Sequence, residues 1–400
     1  MRVFPRFTLR RALALPLALA CAGACLATPY IPADGNRTVE RLPSRASPLQ
    51  RDLLQQRAEL SKNPNDLRRA SALARRYIEQ ARIEGDPRYL GYAQAALAPW
   101  WQLAQAPNEV LVLRATLRQS SHQFAEALAD LDTVLQRDTG NVQARLTRAT
   151  VQLVTGNYSA AKASCMRLYS RAPALVVQAC LSGIGSVTGD AADSYATLTA
   201  MLARYPGAEP DVRSWVQTLL AEMAARLGDQ NAANAWFKQA MASGVPDSYL
   251  LGAYADFLLD QGRAPEVVTL LRDKGRIDAL LLRFAIALKM LQSADAPVQA
   301  AALRARFDAA MLRGDTVHQR EQARFELTLR HDADSAVKLA MLNWAVQKEP
   351  ADLRILVETA AASGERGAAK TALDWIARTG IEDRTIAAPL ARLRALQGQP

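Results

Sequence analysis

Residues 156–173 read GNYSAAKASCMRLYSRAP, and this stretch decides the fold. Gly156-Asn157 is a turn signal: a glycine tolerant of positive φ, then a residue that caps helix starts. Beyond it Tyr158, Ala161, Cys165 and Leu168 recur at the three- and four-residue spacing of one helix face, and Pro173 ends the run. The small Ala161 lets a neighbouring helix approach closely, while Tyr158 and Leu168 fill the space beside it. The same arrangement stands upstream. Ala93, Ala127 and Ala161 are spaced 34 apart, and so are Ala81, Ala115 and Ala149, twelve residues before them. Four positions after the later series come Leu97, Leu131 and Cys165, then Trp100, Val134 and Leu168; three before it stand Leu90, Phe124 and Tyr158. A two-helix unit of this length cannot bury its apolar face alone, so the units must stack.

The pattern resumes downstream in a new phase. Gly228-Asp229 and Gly262-Arg263 are again 34 apart, with Ala221 and Ala255 seven residues before each glycine. Ala233, Phe237 and Ala240 occupy the second-helix positions, and Ala336 to Pro350 with Gly364, Ala369 and Leu373 continue the theme. Gly364 follows Gly262 by 102 residues, three periods, whereas Gly314 falls out of phase. Asp273-Lys274-Gly275 and Ser293 to Pro297 bracket the least repeat-like helix and mark the place for a bend or a subdomain boundary. Of the six tryptophans, Trp100 takes a core position and Trp101 points elsewhere. Trp215, Trp236, Trp344 and Trp375 are expected between repeats. Strand-like alternation is absent, and a core with 6% aromatics must rest on Ala and Leu, both strong helix formers.

A 34-residue helix-turn-helix with this spacing resembles the tetratricopeptide repeat. The resemblance covers residues about 65–380 and is strongest at 75–175, with departures at His122 and Thr139, where the family favours Gly and Pro. It implies an all-α, right-handed superhelical solenoid of stacked antiparallel helix pairs, over 49–272 and, in degenerate form, 273–400. It also implies a concave face lined by the first helices and a role as an adaptor for a peptide or protein partner. Carried over by register, the groove-facing positions are Arg82, Thr116, Gln119, Gln143, Thr150 and Leu153. Val112, Leu113, Leu146 and Thr147 replace the Lys and Asn set with which some members clamp a terminal carboxylate.

The N-terminus bears on the compartment. Arg2 to Arg11, the apolar run from Ala12 and the small residues ending at Ala27 read as a signal peptide over 1–27, followed by a Pro-rich linker over 28–48. The expected location is the periplasm. Cys21 and Cys25 each end a loose lipobox, so an outer-membrane lipoprotein tethered there, serving as a structural subunit of an envelope complex, is the alternative. Cleavage after Ala27 leaves Cys165 and Cys180, either a disulfide staple in an oxidising compartment or two small buried hydrophobes. The formal charge of +10 includes four leader arginines and forms no block in the remainder.

Motifs that carry chemistry are sparse. His122, His318 and His331 form no metal-ligand spacing, and neither a nucleophile elbow, a phosphate loop nor a calcium loop stands in the sequence. Neither a cofactor nor an enzymatic activity is expected. Among Arg68, Arg69, Arg75, Arg76 and Arg82, helical spacing keeps Arg68, Arg75, Arg76 and Arg82 near one side as a basic stripe. It reads as a solvated face, with an acidic partner or anionic lipid headgroup as the alternative, and nucleic-acid binding fits an exported chain poorly.

Overall fold

The computed structural model describes residues 47–397, all-helical with no strand among them. The predicted signal peptide, its two cysteines and nearly all of the predicted linker lie outside the described residues. Packing divides the chain into Met1–Leu54 and Gln55–Pro400. In the first unit the described residues are the opening turns of α1 (Pro48–Lys62). Ser47 and Gln50 cap that helix reciprocally, each backbone N–H donating to the other's side chain, at 3.0 and 3.2 Å.

The second unit is a series of helical hairpins. The first three are α2 (Leu67–Glu84) with α3 (Arg88–Ala96), α5 (Asn108–Ser120) with α6 (Phe124–Arg137), and α7 (Val142–Val154) with α8 (Tyr158–Met166). The short α4 (Ala98–Trp101) stands between the first two. Then come α9 (Ala174–Gly185) with α10 (Ala191–Arg204), α11 (Pro210–Leu227) with α12 (Gln230–Ala242), and α13 (Ser248–Asp260) with α14 (Ala264–Leu271). The last three are α15 (Asp278–Met290) with α16 (Ala296–Leu312), α17 (Gln319–Phe325) with α18 (Ala333–Val346), and α19 (Pro350–Ser363) with α20 (Arg366–Thr379). A final helix, α21 (Ala387–Gln397), packs on α19.

Each hairpin turns through one residue with positive φ. Glycine serves at 85, 156, 189, 228, 262 and 364, and His122, Gln292 and His331 take the same conformation at a steric cost. Gly262 and Gly364 are therefore equivalent turns three hairpins apart. Gly314 is out of phase because it lies in the loop between hairpins, after α16. Asp66, Asn141, Asn157, Asp229, Asp247 and Asp332 cap the helices that follow them, each side chain accepting a backbone N–H near the helix start.

The small-residue series is the core. Ala93, Ala115, Ala127 and Ala161 have no exposed surface, and Ala81 and Ala149 are also buried, as are Leu97, Leu131, Cys165, Val134 and Leu168. Trp100 departs from its expected place. It sits half-buried in α4, which has no buried residue, because this extra turn carries the chain off the second-helix face. Trp344 and Trp375 are buried and meet edge-on at 5.2 Å, whereas Trp236 is half-buried and Trp215 exposed.

Within Gln55–Pro400 the later hairpins lie against the turns of the earlier ones. A Cβ on Gly85 would fall 2.7 Å from Ile277, ahead of α15. His122 feels the charges of Arg320 on α17 and Asp352 on α19. A Cβ on Gly156 would fall 2.5 Å from Trp375 and 3.1 Å from Lys348. Gly189 lies beside Gly380, and Gly228 beside Arg384. The partners advance in the same order as the turns. The Lys348 N–H donates to the Val154 carbonyl at 2.7 Å, so the coil comes round after six hairpins and rests on its own first course.

Candidate functional site

The first helices of the later hairpins carry charge within apolar runs. Asp256 stands between Ala255 and Phe257, and Arg283 between Leu282 and Phe284. In α13, α15, α17 and α19 these residues meet. The Asp256 carboxylate accepts from Arg283 Nη2 at 2.6 Å and Arg324 Nη1 at 2.5 Å. Burial pushes that carboxyl up, but the two guanidinium groups outweigh it and hold it well below its ordinary value. Arg354 Nη1 and Nη2 grip the two oxygens of Asp260, and its Nε donates to Glu358 at 2.8 Å. Because α13 and α19 stand three hairpins apart, these pairs reach across the inside of the coil.

A second part of the network surrounds the start of α19. Asp352, with no exposed surface, accepts from the Asn343 and Gln347 side-chain amides at 2.8 and 3.3 Å and from the Glu349 N–H at 2.8 Å. Arg320 Nη1 donates to Glu349 at 3.1 Å and to Asp352 at 3.2 Å. Burial, reinforced by Asp352, pushes the Glu349 carboxyl up to about 7 against the pull of Arg320. Nearby, the Tyr249 hydroxyl donates to Glu222 Oε1 at 2.8 Å. Burial raises both groups, and for Tyr249 the Glu222 carboxylate adds to the rise. Tyr249 nevertheless exposes 56% of its surface, so it borders an inner space that water enters but protein walls surround.

The enclosed space is small. Asp256, Arg283, Arg320, Glu321, Arg324 and Arg354 line a cavity of about 40 Å³, room for a few water molecules. The donors and acceptors there are spent largely on one another. Among the described residues no group of three or more His, Cys, Asp or Glu is placed to hold a metal ion, and no helix is long and apolar enough to cross a membrane.

The positions read from sequence as groove-facing belong to the first three hairpins. The Thr116 and Thr150 hydroxyls donate back to the Val112 and Leu146 carbonyls of their own helices at 3.0 and 3.1 Å. Gln143 is exposed and donates to Thr147 at 3.2 Å, and Gln119 is half-buried. Arg82 is exposed, 3.8 Å from Asp247, and its carbonyl accepts from Ser248 Oγ at 3.0 Å. Leu153 packs against the cluster that holds Trp344 and Trp375. The six therefore do not form one patch with the charge network. Of the predicted arginine stripe, Arg75 pairs with Glu109 on α5 and Arg82 faces Asp247; Arg69, off the stripe, pairs with Asp66. Cys165 on α8 and Cys180 on α9 are joined as a disulfide, with Cα atoms 5.8 Å apart. Sequence reasoning missed Asp256, Arg283, Arg320, Arg324, Asp352 and Arg354; charge set against apolar helical runs was a usable signal for Asp256, Arg283 and Arg354, whereas Arg320 and Arg324 stand in a polar stretch.

The family model described as tetratricopeptide repeat matches residues 119–174, from the end of α5 to the start of α9. No curated protein matches significantly. Among solved structures, a chain from the Naa15/Naa10 assembly bound to HypK-THB is 13% identical, with 87% of this chain and 60% of that chain covered at a TM-score of 0.31. Yeast Tom70 is 12% identical, with 86% and 88% covered at 0.26. The chain spans about 60% of the length of the first of these. The family-model match thus assigns residues 119–174 to the tetratricopeptide repeat, within a chain whose paired helices and 34-residue register are of the same kind.

Proposed function

We propose that this protein is a non-catalytic scaffold of the bacterial cell envelope, holding a peptide or protein segment against the inner face of its helical coil. The observation that carries the reading is Tyr249. It is a largely exposed aromatic on an inner helix, beside Glu222 and Glu349, whose carboxyls burial has pushed up. Exposed aromatics in partly enclosed surroundings are the usual anchors of protein interfaces, and tetratricopeptide repeats work by such contacts. The arrangement of donors and acceptors favours binding over chemistry, because the ionisable groups are committed to structural pairs. The leader-like sequence of residues 1–27 and the Cys165–Cys180 disulfide support an oxidising, extracytoplasmic location.

Photo-crosslinking in the native cell tests the binding role, with the crosslinker at Tyr249 or Thr150 and, as control, at the exposed Lys162 on α8. One protein captured from the inner positions and not from Lys162 supports the scaffold. Equal, diffuse labelling from both faces overturns it. The mass of the mature N-terminus, read with fractionation, separates a soluble periplasmic protein from one lipidated at Cys21 or Cys25.

A further inference from the structure

The loops Asp138–Asn141 and Arg167–Pro173 adjoin on an exposed edge of the third hairpin, where several arginines gather around the one carboxylate of Asp138. Arg145 of α7 is only 7% exposed. Its Nη2 donates to the Thr139 carbonyl, but its buried Nε–H has no acceptor. Neighbouring Arg148 is satisfied by Asp132 at 2.7 Å and Ser164 at 3.1 Å. Arg167 and Arg171 are exposed, and among the described residues neither they nor Arg145 has a carboxylate within ion-pair distance. The Arg171 guanidinium lies over the loop, its Nη1 2.6 Å from where a Cβ would stand on Gly140. Asp138, the carboxylate of this edge, is occupied: Oδ1 accepts the Gly140 N–H at 3.0 Å and Oδ2 the Asn141 amide at 3.1 Å.

This arrangement is costly as it stands. A shielded guanidinium with an unmade hydrogen bond loses solvation without recompense, and like charges around it add repulsion. Burial, then Arg167, Arg148 and Arg171, lower the Arg145 pKa from its ordinary value. The Nη2 bond to Thr139, an exposed loop residue, keeps the guanidinium close to the surface, within reach of a small ion. Guanidinium forks match tetrahedral oxyanions, giving short, paired, charge-assisted hydrogen bonds.

We propose that Arg145, Arg167 and Arg171 form a binding site for a phosphate-class oxyanion, either free phosphate or the phosphodiester headgroup of an anionic lipid. The test uses the full chain and two probes at constant ionic strength, so that general screening is held fixed. Inorganic phosphate is titrated by calorimetry, and vesicles of phosphatidylglycerol are compared with vesicles of phosphatidylcholine by flotation. An Arg167→Ala/Arg171→Ala variant is set against Arg272→Ala/Arg313→Ala, which removes equal charge from other exposed loops. All four side chains are exposed, so equal melting temperatures without phosphate confirm intact folding. At least tenfold weaker binding in the first variant alone supports the site. Loss of phosphate binding identifies a free anion, and loss confined to phosphatidylglycerol vesicles identifies a headgroup. Absence of binding to either probe, or equal losses in both variants, overturns the proposal.

Discussion

Arg354 holds both oxygens of Asp260, at 2.6 and 2.7 Å, across 94 positions of sequence. The pair is about three-quarters buried on each side and two-pronged, which places it above ordinary surface ion pairs. Asp260→Ala is expected to destabilise the protein by about 1–3 kcal/mol, between the costs of breaking exposed and fully buried pairs. Hydrogen exchange should rise in α13 and α19 together. A double-mutant cycle with Arg354→Ala checks the coupling, and strict additivity would show that the two residues act separately.

The hairpin turns predict opposite effects for two substitutions. Gln292 is exposed and holds φ 56°, so Gln292→Gly should raise stability by about 0.5–1 kcal/mol, the relief expected for a left-handed residue. A Cβ on Gly262 would meet nothing within 4 Å, so Gly262→Ala should cost about 1 kcal/mol from backbone conformation alone. Gly156→Ala adds a collision with Trp375 to the same strain and should cost clearly more. Equal losses at positions 156 and 262 in urea denaturation would argue that the later hairpins do not press on the third turn.

The disulfide closes a loop between residues 15 apart. For that length the chain-entropy account assigns about 3 kcal/mol, and a somewhat smaller measured value is common. Cys165→Ala/Cys180→Ala should therefore lose about 2–3 kcal/mol relative to the oxidised protein. The check is denaturation with and without reductant, which should shift the native protein and leave the variant unmoved.

Glu349 predicts a pH dependence. Its folded pKa is raised from the ordinary 4.5 to about 7, so the unfolded chain gives up this proton more readily than the folded one. The stability it contributes is present below pH 4.5 and is lost as pH rises toward and through 7. Asp256 acts oppositely, but its depressed pKa confines that effect to strongly acid solution. Glu349→Gln should flatten the melting-temperature profile between pH 4.5 and 7.5. An unchanged slope would assign the dependence to Glu222 or another group.

Much of the fold was legible in the sequence because small residues must recur where helices cross. Ala81, Ala115, Ala149 and the series Ala93, Ala127, Ala161 declare the hairpins directly, since a larger side chain at any of them would force the helices apart. The turn at His331 was hidden, because a non-glycine residue in a left-handed turn leaves no mark in composition; the one at Gln292 was marked only by the Ser293 to Pro297 interruption beside it. The inner network was hidden for a different reason. Arg354 and Asp260 meet through the winding of the coil, and register along the chain does not report contacts made six hairpins apart, such as Lys348 with Val154, or three hairpins apart, such as Arg354 with Asp260. Arg82, Thr116, Gln119, Gln143, Thr150 and Leu153 lie on the first three hairpins, whereas the charges that line the inner cavity come from α13, α15, α17 and α19.

The ordered contacts of the turns at Gly85, Gly156, Gly189 and Gly228 with later parts of the coil have a mechanical consequence. A repeat protein joined only to its neighbours stretches like an open spring, with little energy lost at each small extension. Here adjacent windings touch, so the first increment of extension within Gln55–Pro400 must break side-chain contacts before any spring-like give begins. Pulled in an optical trap, such a molecule should stay stiff up to a threshold force and then lengthen abruptly. A guest too large for the bore would have to supply that parting work from its own binding energy.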